Sequence, residues 1–316
     1  MGNHEMHFFH KPVLLREVIA SLGCKAGGVY VDGTVGGAGH AIEILDESAP
    51  DGLLIGIDAD EDALHEAEKR LNPFGDRVTL AKGNFADIGN ILVSLNIYHV
   101  DGILLDLGVS SHQLDAAERG FSFSKEALLD MRMNFRQQTS AYTLVNTLPE
   151  SSLAKIIREY GEETMSKRIA RAIVAERKSK HIETTTELAS IILSVIPKKL
   201  HGHRLHPATK TFQALRIAVN NELSNLQSAL TDGIDRLHTG GRFSVISYHS
   251  LEDRMVKTSF RSYENACICP RDMPVCNCQR QAKARVVYRR PVTPSEAEIS
   301  DNPRARSAKL RTAERI

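Results

Sequence analysis

The chemistry this chain can do is concentrated in three acids and one glycine-rich loop. Val31-Asp32-Gly33-Thr34-Val35-Gly36-Gly37-Ala38-Gly39-His40 joins an apolar run to an amphipathic one. Glycines there let the backbone turn sharply and approach a ligand closely. Asp58 ends the next apolar run, 19 residues after Gly39. A carboxylate there can accept hydrogen bonds from both hydroxyls of a ribose. Asp106-Leu107-Gly108 ends a later run, where folds of this type keep their reacting groups. Nicotinamide dinucleotides and S-adenosylmethionine are both bound on such a plan. The spacing G-x-x-G-G-x-G, rather than G-x-G-x-x-G, and Asp32 directly before the loop favour S-adenosyl-L-methionine as the cofactor. Phe85 follows the third run, and packing on an adenine and an ordinary core role are both open to it.

Asp106 suits attack by an exocyclic amine. Such an amine has its lone pair delocalised into the ring, so acceptors that hold its protons help the nitrogen pyramidalise. Many amino-group methyltransferases follow this acid with Pro-Pro-aromatic, which Leu107-Gly108 lacks, so another ring must grip the base. Phe121, Phe123, Tyr248 and His249 are candidates. His249 is also a candidate proton acceptor. Its alternative role is in capping the following helix, with Ser250 as N-cap and Asp253 at the third position.

The elements that must position these residues follow from the hydrophobic pattern. Val29 to Val31, Leu53 to Ile57, Arg77 to Leu80 and Ile103 to Leu105 read as parallel strands buried on both faces, separated by helices. This is a doubly wound α/β fold. From about Ser124 to Lys199 only helical periodicity remains. Leu153, Ile156, Ile157 and Tyr160 form one apolar face, and Leu188, Ile191, Ile192 and Val195 another. Residues 150–152 and 184–187 supply cap signals. A long helix over Ala208 to Leu237 precedes a fifth strand, Arg242 to Ser247. Arg285 to Tyr288 and Ser307 to Thr312 are expected to add two more. The expected domains are therefore 1–115 with 207–316, carrying the cofactor, and an inserted helical domain, 116–206.

Net charge is only +1, but it is unevenly spread. Residues 1–130 hold 9 Lys/Arg against 21 Asp/Glu, whereas 254–316 hold 14 against 6. That asymmetry suits an acidic catalytic core with basic surfaces for a polyanion. Lys167, Arg168 and Arg171 in the insertion, and Arg304, Arg306, Lys309 and Arg311, are candidate phosphate contacts. No apolar run reaches membrane-spanning length and no signal-peptide core opens the chain, so a cytoplasmic protein without membrane contact is expected. Cys267, Cys269, Cys276 and Cys278 are expected to be reduced thiols with no metal, a tetrahedral zinc site being the alternative.

Longer motifs carry a resemblance. Asp101 to Ser111 runs on to Gln113-Leu114-Asp115, then Glu118-Arg119-Gly120-Phe121-Ser122-Phe123 and Leu129-Asp130-Met131-Arg132-Met133. His206 to Ile217, Ser250-Leu251-Glu252-Asp253-Arg254 and Asn302-Pro303-Arg304-Ala305-Arg306-Ser307 extend it over nearly the whole chain. Together these closely resemble the bacterial ribosomal RNA small-subunit cytosine-N4 methyltransferase H family. The resemblance implies a class I, Rossmann-like methyltransferase with an inserted helical recognition domain. It implies methylation of a cytosine in the decoding centre of 16S ribosomal RNA, within the small ribosomal subunit. Cofactor contacts are implied at Ala38, Gly39, His40, Asp58, Phe85, Asp106 and Gln113. A homodimer is compatible with the sequence. A nicotinamide-dependent oxidoreductase and a non-catalytic RNA-binding factor are the competing readings.

Overall fold

The computed structural model describes residues 12–108, 116–198, 201, 206–264, 269, 275, 278 and 280–316. Its contacts divide the chain into two units, 1–108 with 223–316, and 109–222.

The first unit is built on a seven-stranded sheet. Its strands are β1 (Val29–Asp32), β2 (Leu53–Asp58), β3 (Val78–Lys82), β4 (Val100–Asp106), β5 (Leu237–Ser247), β6 (Ala284–Val286) and β7 (Lys309–Arg315). They lie in the order 3-2-1-4-5-7-6. β1 to β5 are parallel, and β7 runs antiparallel between β5 and β6. Successive strand residues point to opposite faces, and both faces are filled. Val31, Ile55, Ile103, Leu105 and Phe243 enter one apolar cluster, while Tyr30, Leu54, Leu104 and Ile246 enter the other. This is why the runs are aliphatic throughout rather than alternating. Helices cover both faces, among them α1 (Leu15–Leu22), α2 (Gly39–Glu47), α3 (Glu61–Leu71) and α4 (Ile88–Ser94). The fold is the Rossmann-like α/β type expected. Strand order reverses between β1 and β4, which opens a crevice at their carboxyl ends.

The second unit packs α5 (Ala141–Thr147), α6 (Glu150–Gly161), α7 (Ser166–Glu176), α8 (Thr185–Val195) and α9 (Thr209–Asn220). Leu144, Leu153, Ile157, Ile173, Leu188, Ile192 and Phe212 share its core. Thr184 and Glu187 form a reciprocal capping box at the start of α8. The signal at residues 150–152 is different: α6 begins at Glu150 with Pro149 before it and no side-chain cap.

Two boundaries differ from the sequence reading. The expected helix over 208–237 is two helices, α9 and α10 (Glu222–Asp235), because Asn221 turns left-handed at φ 52°. α9 then belongs to the helical unit rather than to the sheet unit. It lies so close to α6 that a Cβ on Gly161 would sit 2.5 Å from the Lys210 carbonyl oxygen. Asn220 fastens it, giving its amide N–H to Met131 O and accepting from Met133 N–H, both at 2.8 Å. The unit thus covers 109–222, against the 116–206 expected. Among the described residues no helix is long and apolar enough to cross a membrane.

Candidate active site

Three strand ends in the sheet unit carry the acids singled out above: Asp32 on β1, Asp58 on β2 and Asp106 on β4. The loop after β1 is shaped by two glycines in particular. Gly33 passes where a Cβ would meet Leu105 at 2.5 Å, and Gly36 takes φ +47°. Ala38 is also left-handed, at φ 60°, and it launches α2. A non-glycine residue there carries backbone strain that the surrounding hydrogen bonds must hold.

Asp58 supplies one of those bonds and holds its own loop with another. Its Oδ2 accepts from Gly36 N–H at 3.0 Å and its Oδ1 from Asp60 N–H at 2.9 Å. Each oxygen keeps a second lone pair. Burial pushes the Asp58 carboxyl up to about 6, against the pull of these N–H donors. Asp32 is 2% exposed, and burial likewise pushes it to about 6.

Asp106 is the most constrained of the three. Its backbone N–H donates to Thr34 Oγ1 at 2.7 Å, and Thr34 Oγ1 in turn lies 3.3 Å from Asp32 Oδ1. Its Oδ1 accepts from the Tyr248 hydroxyl at 2.8 Å. Burial, then the charge of Asp106, holds the Tyr248 phenol well above its ordinary range, so it stays a donor. His40 Nδ1 lies 3.8 Å from Asp106 Oδ2. Burial lowers the His40 pKa, so the ring is neutral near pH 7. Its Nε2 is 2.9 Å from Val13 O. Nε2 must therefore carry the proton, which leaves Nδ1 as an acceptor. Two acceptors thus face each other across 3.8 Å, an arrangement suited to a donor or cation.

Other candidates fall as follows. Phe85 is half-buried beside Gly33 and packs against the core. Tyr248 packs over Gly108 and is engaged through its hydroxyl rather than offered only as a stacking ring. His249 directly precedes α11 (Ser250–Glu264). Its Nδ1 accepts from Glu252 N–H at 3.4 Å, and its Nε2 is 3.1 Å from Glu252 Oε1. Glu252, not Asp253, reaches back to cap the helix, its Oε2 accepting from Tyr248 N–H at 2.9 Å and His249 N–H at 3.3 Å. Asp253 instead pairs with Arg311 at 2.6 Å and Lys309 at 3.1 Å, so each of these two expected phosphate contacts gives one N–H to the protein itself. Phe121 and Phe123 belong to the helical unit. Phe121 is 8% exposed in its core, and Phe123 stacks on His206 with ring centroids 4.6 Å apart. Gln113, and Cys267 and Cys276 of the cysteine cluster, lie outside the described residues.

Sequence reasoning missed Thr34 and Glu252 as the residues that fix this site. Thr34 had a local signal, since Asp32-Gly33-Thr34 places a hydroxyl two residues after an acid at a strand end.

Many ribosomal RNA methyltransferases share this chain's length and pattern. A protein of Syntrophus aciditrophicus (strain SB) named ribosomal RNA small subunit methyltransferase H is 60% identical over 308 residues, covering 98% of each chain. Its namesake in Geobacter sulfurreducens is 53% identical over 311 residues, covering 98% of this chain and all of the relative. The one in Clostridioides difficile (strain 630) is 49% identical over 311 residues, with the same coverage. The model of the MraW methylase family matches residues 7–316. On a match of that extent, running through the glycine loop and all three strand-end acids, the chain belongs to the MraW methylase family.

Proposed function

We propose that this protein is an S-adenosylmethionine-dependent methyltransferase that methylates the exocyclic N4 amine of a cytosine in the decoding centre of 16S ribosomal RNA. Its substrate is the RNA of the small ribosomal subunit, and its place is the cytoplasm. The observation that carries the reading is the acceptor-rich floor of the crevice. Asp32, Asp58, Asp106 and the Nδ1 of His40 converge there, with the left-handed Gly36 and Ala38 opening the loop above them. A pyrophosphate would be repelled by these carboxylates, which disfavours a dinucleotide. A cofactor bearing an ammonium, a sulfonium and a ribose diol fits them. In this reading Ala38, Gly39, His40, Asp58, Phe85, Asp106 and Gln113 hold it. When bound, it supplies a methyl group activated on positively charged sulfur.

The chain's own residues supply the rest. Tyr248 and Thr34 fix the carboxylate and the backbone of Asp106. Asp106 Oδ2 then accepts a hydrogen bond from an amine N–H of the cytosine, which localises the nitrogen lone pair as the new bond forms. The amine becomes acidic on methylation, so water can take the proton released. Asp106 is the catalytic residue of this proposal. His249 Nδ1 accepts from Glu252 N–H and helps set the loop after β5, while its buried Nε2 has no hydrogen-bond partner among the described residues and is the second candidate acceptor for that proton.

The test is single-turnover methylation of small subunits that lack the modification, followed by digestion and mass analysis of the nucleosides. N4-methylcytidine from the decoding centre is expected. Asp106→Asn keeps the shape and removes the charge. With cofactor and subunit saturating, its rate should fall roughly a hundredfold or more. Methyl groups elsewhere than on a cytosine amine would overturn the substrate assignment. A rate within about threefold of wild type would remove Asp106 from the chemistry.

A further inference from the structure

The helix that starts directly after Tyr248 and His249 carries Lys257 and Arg261 on one face, four residues apart. With Arg289 and Arg311 they line a pocket of about 200 Å³, whose apolar contributors are Phe260 and Val286. One carboxylate, Glu264, also lines it, and its Oε1 accepts from Val286 N–H at 3.1 Å. Arg311 is 7% exposed and is held at the wall by Asp253, which takes its Nε at 2.6 Å. A guanidinium has five N–H donors, and among the described residues only this one is committed. Lys257, Arg261 and Arg289 are exposed and make no ion pair among the described residues. Lys257, Arg261 and Arg289 bring three positive charges to a small pocket that holds the single carboxylate of Glu264, and an anion among them relieves their repulsion.

We infer that this pocket binds a backbone phosphate of the RNA strand that carries the target nucleotide. The inference rests on the reading of RNA as the substrate. Guanidinium forks match phosphate oxygens in pairs, and a pocket this small suits one phosphate better than an extended acidic peptide. Placement agrees. At a helical rise of 1.5 Å per residue, Lys257 lies roughly 12 Å and Arg261 roughly 18 Å along the helix from His249, which follows Tyr248, the partner of Asp106. A short run of nucleotides covers that distance. Tyr288, 40% exposed, precedes Arg289 and offers a ring on which a neighbouring base can stack.

The test uses the full chain with Lys257→Ala, Arg261→Ala and Arg289→Ala combined, and Arg311 left in its pair with Asp253. Binding to small-subunit RNA is measured between roughly 50 and 200 mM salt. The slope of log affinity against log salt should shrink by about 1, the share of one phosphate, and affinity near 100 mM should fall about tenfold. S-adenosylmethionine affinity and thermal midpoint should stay at wild-type values. The charge-conserving set Lys257→Arg, Arg261→Lys and Arg289→Lys should keep the wild-type slope. Wild-type slope and affinity in the alanine variant would overturn the proposal, as would an equal loss in the charge-conserving set. So would inorganic phosphate binding by calorimetry with RNA affinity unmoved by the substitutions, which would make this a free-anion site. Methyl transfer by wild type to the same RNA is scored in parallel. If it fails, the substrate reading falls; if it succeeds while the alanine variant binds RNA like wild type, only the pocket assignment falls.

Discussion

Asp32 and Asp58 sit at about 6, where an exposed carboxyl titrates near 3.8, because burial penalises their charged forms. Between those values the folded chain binds more protons than the unfolded one. Their contribution to stability is therefore present below about pH 4 and is lost as pH rises through about 6. A bound cation reverses the preference, since it favours the carboxylates. S-adenosylmethionine affinity should rise between pH 5 and pH 7 by roughly tenfold for each of the two acids that ionises on binding, and then level off, with protons released on binding near pH 6. Calorimetry in buffers of different ionisation enthalpy measures both. A flat profile would mean that these acids do not face the cofactor's charge. Asp32, Asp58 and Asp106 were legible in the sequence because each closes an aliphatic run. The bond from Tyr248 to Asp106 was not, since 142 residues separate the partners and only the pairing of β4 with β5 brings them together.

Between helices, fit decides more than propensity. Gly161 ends α6 where a methyl group would press on the Lys210 carbonyl at 2.5 Å. Replacing a helical glycine by alanine gains up to about 1 kcal/mol in backbone entropy. Overpacking against backbone costs about 1 to 3 kcal/mol. The steric term should win, so Gly161→Ala is expected to lower stability by about 1 to 2 kcal/mol, read as a lower midpoint in urea. A midpoint at or above wild type would show that α6 and α9 can separate freely. Periodicity revealed the α6 and α8 faces because their apolar residues recur every three or four positions. It did not reveal the break at Asn221, which falls inside an unbroken amphipathic pattern. The paired Asn220-Asn221 was the available cue, one asparagine fastening the helix and the next turning left-handed.

Across the whole molecule, the sequence divides charge between an acidic amino-terminal stretch and basic segments elsewhere. Lys167, Arg168 and Arg171 are exposed on α7, while Ile169, Ala170 and Ile173 on the same helix are buried. Reversing those three charges should leave the fold and cofactor binding intact, weaken binding to the small subunit and shrink its salt slope. Filter binding over a salt series checks this, and an unchanged slope would exclude α7 from the RNA contact. The insertion between β4 and β5 has a further effect, on the order in which the chain can assemble. Asp106 and Ile246 are sheet partners about 140 residues apart in sequence. Joining strands across so long a coil is entropically slow. If the 109–222 segment has already closed on itself, with Asn220 tied to Met131 and Met133, only about 25 flexible residues remain to be looped. That lowers the closure cost by about 1.5 kcal/mol, a roughly tenfold gain in the chance that β5 finds β4. A helical unit that folds first thus speeds the pairing of β5 with β4, besides offering a candidate surface for RNA.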